Sequence, residues 1–255
     1  MKSTTYISLL KAEIFKTKNI LGIWILILFP AVISIITAVY LLNKSTASVI
    51  IESNPWIIIF GRYLFIVYAF LFPLIVAIGS YAICEMEYKN QNFKQLFVLP
   101  SSKFDIYCIK MFLLTALIFI SVFIAYISCV SVGYFLGYSV PNYRFVEYNI
   151  PLNVYIYFSR LFIGVCTIAY IQYFLSILVK NFALPVGTAC FGVVFFLVAN
   201  RWKYIDFIPY RSCYSAFEYL MKDNVLLFSK VEYINFGYII IFFFLSYWIF
   251  RRINT

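Results

Sequence analysis

The sequence predicts an all-α membrane protein with six transmembrane helices, and three observations predict it. The 255-residue chain is 64% hydrophobic and only 12% charged, with a mean hydropathy of +0.93, whereas a soluble domain is about a quarter charged. Its apolar residues are gathered into runs close to the roughly 20 residues that cross a hydrocarbon core. Its charges sit at the ends of those runs, where aqueous boundaries fall. A single transmembrane domain over residues 1–255 is expected.

The spans are expected at approximately 20–42, 56–84, 104–137, 155–179, 183–199 and 233–250. The first twenty residues carry four lysines and a glutamate. The run after them lacks a small-residue cleavage site, so it is read as a span that stays in the protein. The third run is long enough to tilt or to extend beyond the bilayer. The fifth is short and holds Pro185, Gly187 and Gly192, which predicts a bent or partly re-entrant segment.

Orientation follows from lysines and arginines at the span ends. Lys2, Lys11, Lys16, Lys18, Lys89, Lys94, Lys103, Lys110, Lys180, Arg251 and Arg252 fall on one side, eleven in all. Lys44, Arg144, Arg201, Lys203, Arg211, Lys222 and Lys230 make seven on the other. The bias predicts a multi-pass protein of the cell membrane with both termini in the cytoplasm. The net charge of +10 is accounted for by this flanking pattern and by anionic headgroups, so no nucleic-acid partner is expected.

Three segments outside the spans carry a pattern. In TTYISLLKAEIFKTKN (4–19), Ile7, Leu10 and Ile14 fall at helical spacing, which predicts an amphipathic helix at the membrane surface. In 200–232, Ser215 and Glu218 have the spacing of a capping box, and Phe217, Leu220 and Met221 share a face. Between spans two and three, Phe93, Leu96 and Phe97 stand at i, i+3 and i+4, Lys94 and Gln95 face away, and Pro100 must end the helix. Glu85 and Glu87 precede this short helix, and Lys103 and Lys110 follow it. Its apolar face requires a cover, either lipid or a protein groove.

Several chemistries are excluded. The chain has no histidine, which removes the commonest metal ligand and the side chain that titrates near neutrality. Five of the six cysteines lie in or beside apolar runs without CxxC spacing, and only Cys213 is in a polar stretch. Neither a metal site nor a disulfide framework is expected. The spans hold almost no acid, so intramembrane proteolysis and proton-coupled transport lack their groups. No glycine is followed by lysine, so there is no phosphate-binding loop and the chain is not itself an ATPase. Arg62 and Arg160, near the outer ends of spans two and four, are expected to snorkel to headgroups; a substrate or counter-ion role is the alternative. Gln172, deep in span four, either bonds a neighbouring helix or lines a pathway.

The stretch EMEYKNQNFKQLFVLPSSKFDIYCIK (85–110) resembles the signature of type-2 ABC exporter permeases, including those of lantibiotic-immunity and multidrug type. In that family an acid-rich end of span two leads to a short basic and apolar helix, then Leu-x-x-x-Pro, small residues and a basic residue, with a lysine opening span three. The corresponding residues are Glu85, Glu87, Lys94, Leu96, Pro100, Ser101, Ser102, Lys103 and Lys110. LLKAEIFKTKN (9–19) is similar to the family's elbow helix, with Glu13 and Lys16 in the acidic and basic positions. One departure is Asn90-Gln91-Asn92, where related permeases commonly have a glycine; asparagine tolerates left-handed geometry.

The resemblance implies a non-enzymatic permease subunit that binds no cofactor itself. A separate ABC ATPase carrying ATP and magnesium would dock on the coupling helix through Glu85, Glu87, Phe93, Lys94, Leu96, Phe97, Pro100 and Lys103. A second permease chain, identical or not, would complete the pathway. The cargo it implies is an amphipathic compound such as a peptide, drug or lipid moved by efflux. A non-transporting scaffold or sensor is the alternative, and an ATPase encoded beside the gene discriminates between the two.

Overall fold

The computed structural model describes residues 2–44, 54–89, 102–179, 181–220 and 228–252. Among them every regular element is helical. Helix α1 (Lys2–Thr17) turns sharply into α2 (Leu21–Lys44). A second helical run begins with α3 (Pro55–Ile58), passes through a π-helical stretch (Ile59–Leu64) and continues as α4 (Phe65–Lys89). Then come α5 (Lys103–Ser139), α6 (Leu152–Leu178), α7 (Ala183–Val198), two 3-10 turns (Ile205–Phe207 and Pro209–Arg211), α8 (Ser212–Leu220) and α9 (Lys230–Arg252).

Among the described residues, five helices are long and apolar enough to cross a membrane: Leu21–Asn43, Val67–Tyr88, Lys103–Ser139, Leu152–Leu178 and Lys230–Arg252. The fifth expected span is the exception. Helix α7 has 16 residues, about 24 Å at 1.5 Å per residue, against a hydrocarbon core of about 30 Å. It is a single helix, with Pro185 accommodated in its first turn, where a missing N–H is tolerated.

Helices α4 and α6 form the middle of the bundle. Helix α6 packs on α4, α5, α7, α8 and α9, and α2 lies along α5. Large apolar side chains such as Phe112, Phe191, Val198 and Tyr233 point outwards, as lipid solvation allows. Helix α2 shows how a helix breaker is absorbed. Pro30 has no N–H to offer the carbonyl of Leu26, and the Ser121 hydroxyl on α5 donates to that carbonyl at 2.6 Å.

Helix α1 and the end of α9 lie at one end of the bundle, called basal here. Lys103 Nζ donates to the Arg251 carbonyl at 3.3 Å, and the Tyr88 hydroxyl donates to the carbonyls of Ser176 and Ile177 at 3.2 and 2.8 Å. The distal end holds the 3-10 turn Pro141–Tyr143 and Trp56, whose indole donates to the Tyr148 carbonyl at 3.0 Å.

After α7, the described residues up to 220 fold back into the bundle. Tyr210 lies so close to Gly192 that a Cβ there would sit 2.3 Å from the ring, and a Cβ on Gly164 would sit 2.8 Å from that of Ser212. Glycine is required at both positions for this approach. The capping expectation in this segment is corrected. Ser215 lies inside α8, buried, with its hydroxyl donating to the Ser212 carbonyl at 2.9 Å, and Glu218 accepts from Arg211 at 2.9 Å. Leu220 is buried, Phe217 is half-buried, and Cys213 is buried despite its polar surroundings in sequence. Met221 lies outside the described residues.

Candidate functional site

The basal end gathers charge that lipid-facing helices do not need. Glu13 and Lys16 stand one turn apart on α1, Glu87 lies in the last turn of α4, and Lys110 sits two turns into α5. Lys110 Nζ donates to Glu13 Oε2 and to Glu87 Oε1, both at 2.7 Å. Lys16 Nζ reaches Glu13 Oε1 at 3.1 Å and Glu87 Oε1 at 3.3 Å. Lys110, Glu87 and Glu13 are 1, 2 and 4% exposed, while the Lys16 side chain keeps 30% of its surface.

Two carboxylates and two ammoniums make this cluster neutral, and pairing of this kind permits burial. A lone charge here would be strongly disfavoured. The junction joins three elements: the N-terminal helix, the end of α4 and the start of α5.

Further contacts fix the same place. The Tyr6 hydroxyl donates to Asp105 Oδ1 at 2.7 Å, a second tie between α1 and α5. Ser102 caps α5 by accepting from the Asp105 N–H at 3.1 Å. The twelve residues 90–101 are therefore held at both flanks, by Glu87 on one side and by Ser102, Asp105 and Lys110 on the other. Phe93, Lys94, Leu96, Phe97 and Pro100 belong to this stretch and lie outside the described residues.

Glu85 is half-buried in the last turn of α4 and Lys103 opens α5. Glu87, expected with Glu85 among the docking residues, is buried against Lys110, which projects from α5 at its level. On α1 the expected apolar stripe is outward: Ile7 and Ile14 are 56 and 50% exposed. The side turned to the bundle carries Glu13 and Thr17.

Burial opposes ionisation of Glu13, but Lys110 and Lys16 outweigh it and hold the carboxyl below its usual range. A carboxyl held low stabilises the docked helix at every pH above its ordinary value of about 4.3, and that support is lost as pH falls further through the lowered value. Spin labels at positions 7 and 112 should therefore keep one distance from pH 8 to about 5 and separate only below about pH 4. Separation between pH 7 and 5 would contradict the pairing.

A second polar cluster lies towards the distal end. Arg160 is 2% exposed, so the expectation that it snorkels to headgroups is corrected. Its guanidinium lies 3.8 Å from the Tyr219 ring centroid and 3.8 Å from Glu232 Oε1. Glu232 accepts in turn from the Ser229 N–H at 2.6 Å and from the Ser229 hydroxyl. Gln172 is buried and its Nε2 donates to the Tyr210 hydroxyl at 2.6 Å. Its Oε1 has no hydrogen-bond partner among the described residues. Arg62 lies in the π-helical stretch. Among the described residues no cluster could hold a metal ion and all six cysteines are free.

A family model described as "ABC-2 family transporter protein" matches residues 9–196. The chain belongs to the ABC-2 transporter family. The matched region takes in the whole charged junction of the permease and α2 to α6, and ends inside α7. Arg211 and Glu232 lie beyond it. No curated protein sequence and no solved structure matches the chain.

Proposed function

We infer that this permease is the membrane half of an exporter powered by a separate ABC ATPase, which docks on the segment between α4 and α5. The basal end is then cytoplasmic, and α7, short as it is, makes the sixth crossing together with the segment that folds back behind it. The observation that carries the reading is the buried junction of Glu13, Lys16, Glu87 and Lys110. A docking element transmits force only if its ends are fixed to the helices it must move, and this junction fixes both flanks of residues 90–101 to α1.

The roles divide accordingly. Phe93, Leu96 and Phe97 fill the ATPase groove, with Glu85, Lys94 and Lys103 at its rim and Pro100 ending the helix. Glu87 anchors from behind. Two permease chains, alike or different, enclose the pathway, and Gln172 is the polar group offered to an amphipathic cargo such as a peptide, drug or lipid. Arg62 is a second candidate for such contact, whereas Arg160 holds α8 against α9. ATP and magnesium stay on the partner.

The test is co-purification of the tagged permease with a co-expressed ABC ATPase. Truncating a central aromatic anchor removes about 2 kcal/mol or more of binding energy, and a rim charge much less. Leu96→Asp and Phe97→Ala should lose the ATPase while leaving the permease inserted, and Lys94→Ala should retain most of it. Stoichiometric ATPase on Leu96→Asp would overturn the reading.

A further inference from the structure

Beside the charged junction, a groove of about 720 Å³ opens between the start of α2, the basal end of α4 and the residue preceding α7. Its volume is that of a small-molecule site. Its lining changes character along the bundle. Lys16, Asn19 and Glu85 line the basal part; Ile25, Ile78 and Tyr81 line the part deeper among the spans. From Glu85 to Ile78 is seven residues of α4, about 10 Å along the axis. The polar end thus lies at the depth of headgroups and the apolar end at the depth of acyl chains. The charged side chains lining it, Lys16 and Glu85, have opposite sign.

The geometry points to a binding site for one zwitterionic phospholipid of the leaflet at the basal end. Its phosphate faces Lys16, its amine faces Glu85, and its chain lies over Ile25, Ile78 and Tyr81. Lys16 also pairs with Glu13 and Glu87, so the headgroup meets the junction through a shared ammonium. The inference shares Glu85 with the proposed rim of the ATPase groove, but its test uses the permease without the ATPase, so the two readings fail separately. It also runs against the chain's overall charge. A net charge of +10 favours anionic lipid wherever binding is non-specific, so a preference for zwitterionic lipid would report the groove.

The test is native mass spectrometry of the purified permease in detergent, equilibrated with equal amounts of phosphatidylethanolamine and phosphatidylglycerol of matched chains. One phosphatidylethanolamine should be retained about fivefold over phosphatidylglycerol, the ratio that an interfacial ion pair of about 1 kcal/mol supplies. Glu85→Lys should reverse the preference. Ile25→Trp or Ile78→Trp should fill the apolar end and lose the retained lipid, whereas Val32→Trp, on an exposed face of α2, should keep it. Chain-free glycerophosphoethanolamine should not compete, which places the ligand in the membrane rather than in solution. Retention of phosphatidylglycerol equal to or above phosphatidylethanolamine by the unaltered protein would overturn the proposal. So would full retention in both groove-filling variants, or competition by the chain-free headgroup.

Discussion

Lys110→Met should destabilise the permease by about 3–5 kcal/mol, the effect of removing one partner from a buried ion pair. Methionine fills the aliphatic volume of lysine, so the loss is electrostatic. The substitution leaves Glu13 and Glu87, both nearly inaccessible, with only the half-exposed Lys16 to balance them. Removing the two buried carboxylates as well, which leaves only the part-exposed Lys16 charged, should therefore recover much of the loss. In the triple variant Glu13→Gln, Glu87→Gln and Lys110→Met no buried charge remains uncompensated, and apolar or neutral replacements of buried ion pairs are often tolerated. Thermal unfolding followed by detergent-phase size exclusion should rank the triple variant above Lys110→Met alone. If the triple variant is the less stable of the two, the cluster contributes through direct bonding and the charge-balance account fails.

Gly192→Val should have the next largest effect. A Cβ at 192 would lie 2.3 Å from the Tyr210 ring, so the ring must leave its place. With it goes the hydrogen bond from Gln172 Nε2, deep in the bundle. Overpacking of this kind disfavours the folded state by about 1–3 kcal/mol. Gly187→Val on the same helix is the control. Nothing lies within 4 Å of a Cβ there, and the substitution should be near neutral. Comparable losses of melting temperature at both sites would mean that the helix resists any bulk, and that the return of Tyr210 into the bundle is not what Gly192 serves.

The helices were legible because lipid solvation writes long apolar runs into the chain, and each expected span corresponds to a helix. What those runs do not encode is depth. Residues 183–199 satisfied composition, yet the helix they form is too short to cross alone, since the residues after it turn back into the bundle. Partners were legible only where spacing is local. Glu13 and Lys16 were singled out, but Lys110 is 97 residues from Glu13 and 23 from Glu87, and no periodicity brings them together. Arg160 looked like a snorkelling arginine because its acid, Glu232, is far along the chain. A sequence signal for Glu232 did exist. Ser229 and Glu232 have the spacing of a capping box at the start of the last helix, and the Glu232 carboxylate does reach back to the Ser229 N–H. The equally spaced Ser215 and Glu218 misled, because two 3-10 turns feed directly into α8 and begin it three residues earlier.

The most direct test of ATPase docking is contact itself. A photoreactive phenylalanine analogue at position 97, irradiated in native membranes with the ATPase co-expressed, should give one dominant adduct at the summed mass of the two chains. Mass spectrometry should find in it a protein with a phosphate-binding loop. The same probe at Phe112, an exposed position on α5 that is 61% accessible, should give lipid adducts and no ATPase. A probe at 97 that yields only lipid adducts, as at 112, would show that the segment between α4 and α5 rests on the bilayer and that the proposed route from ATPase to membrane helices is wrong.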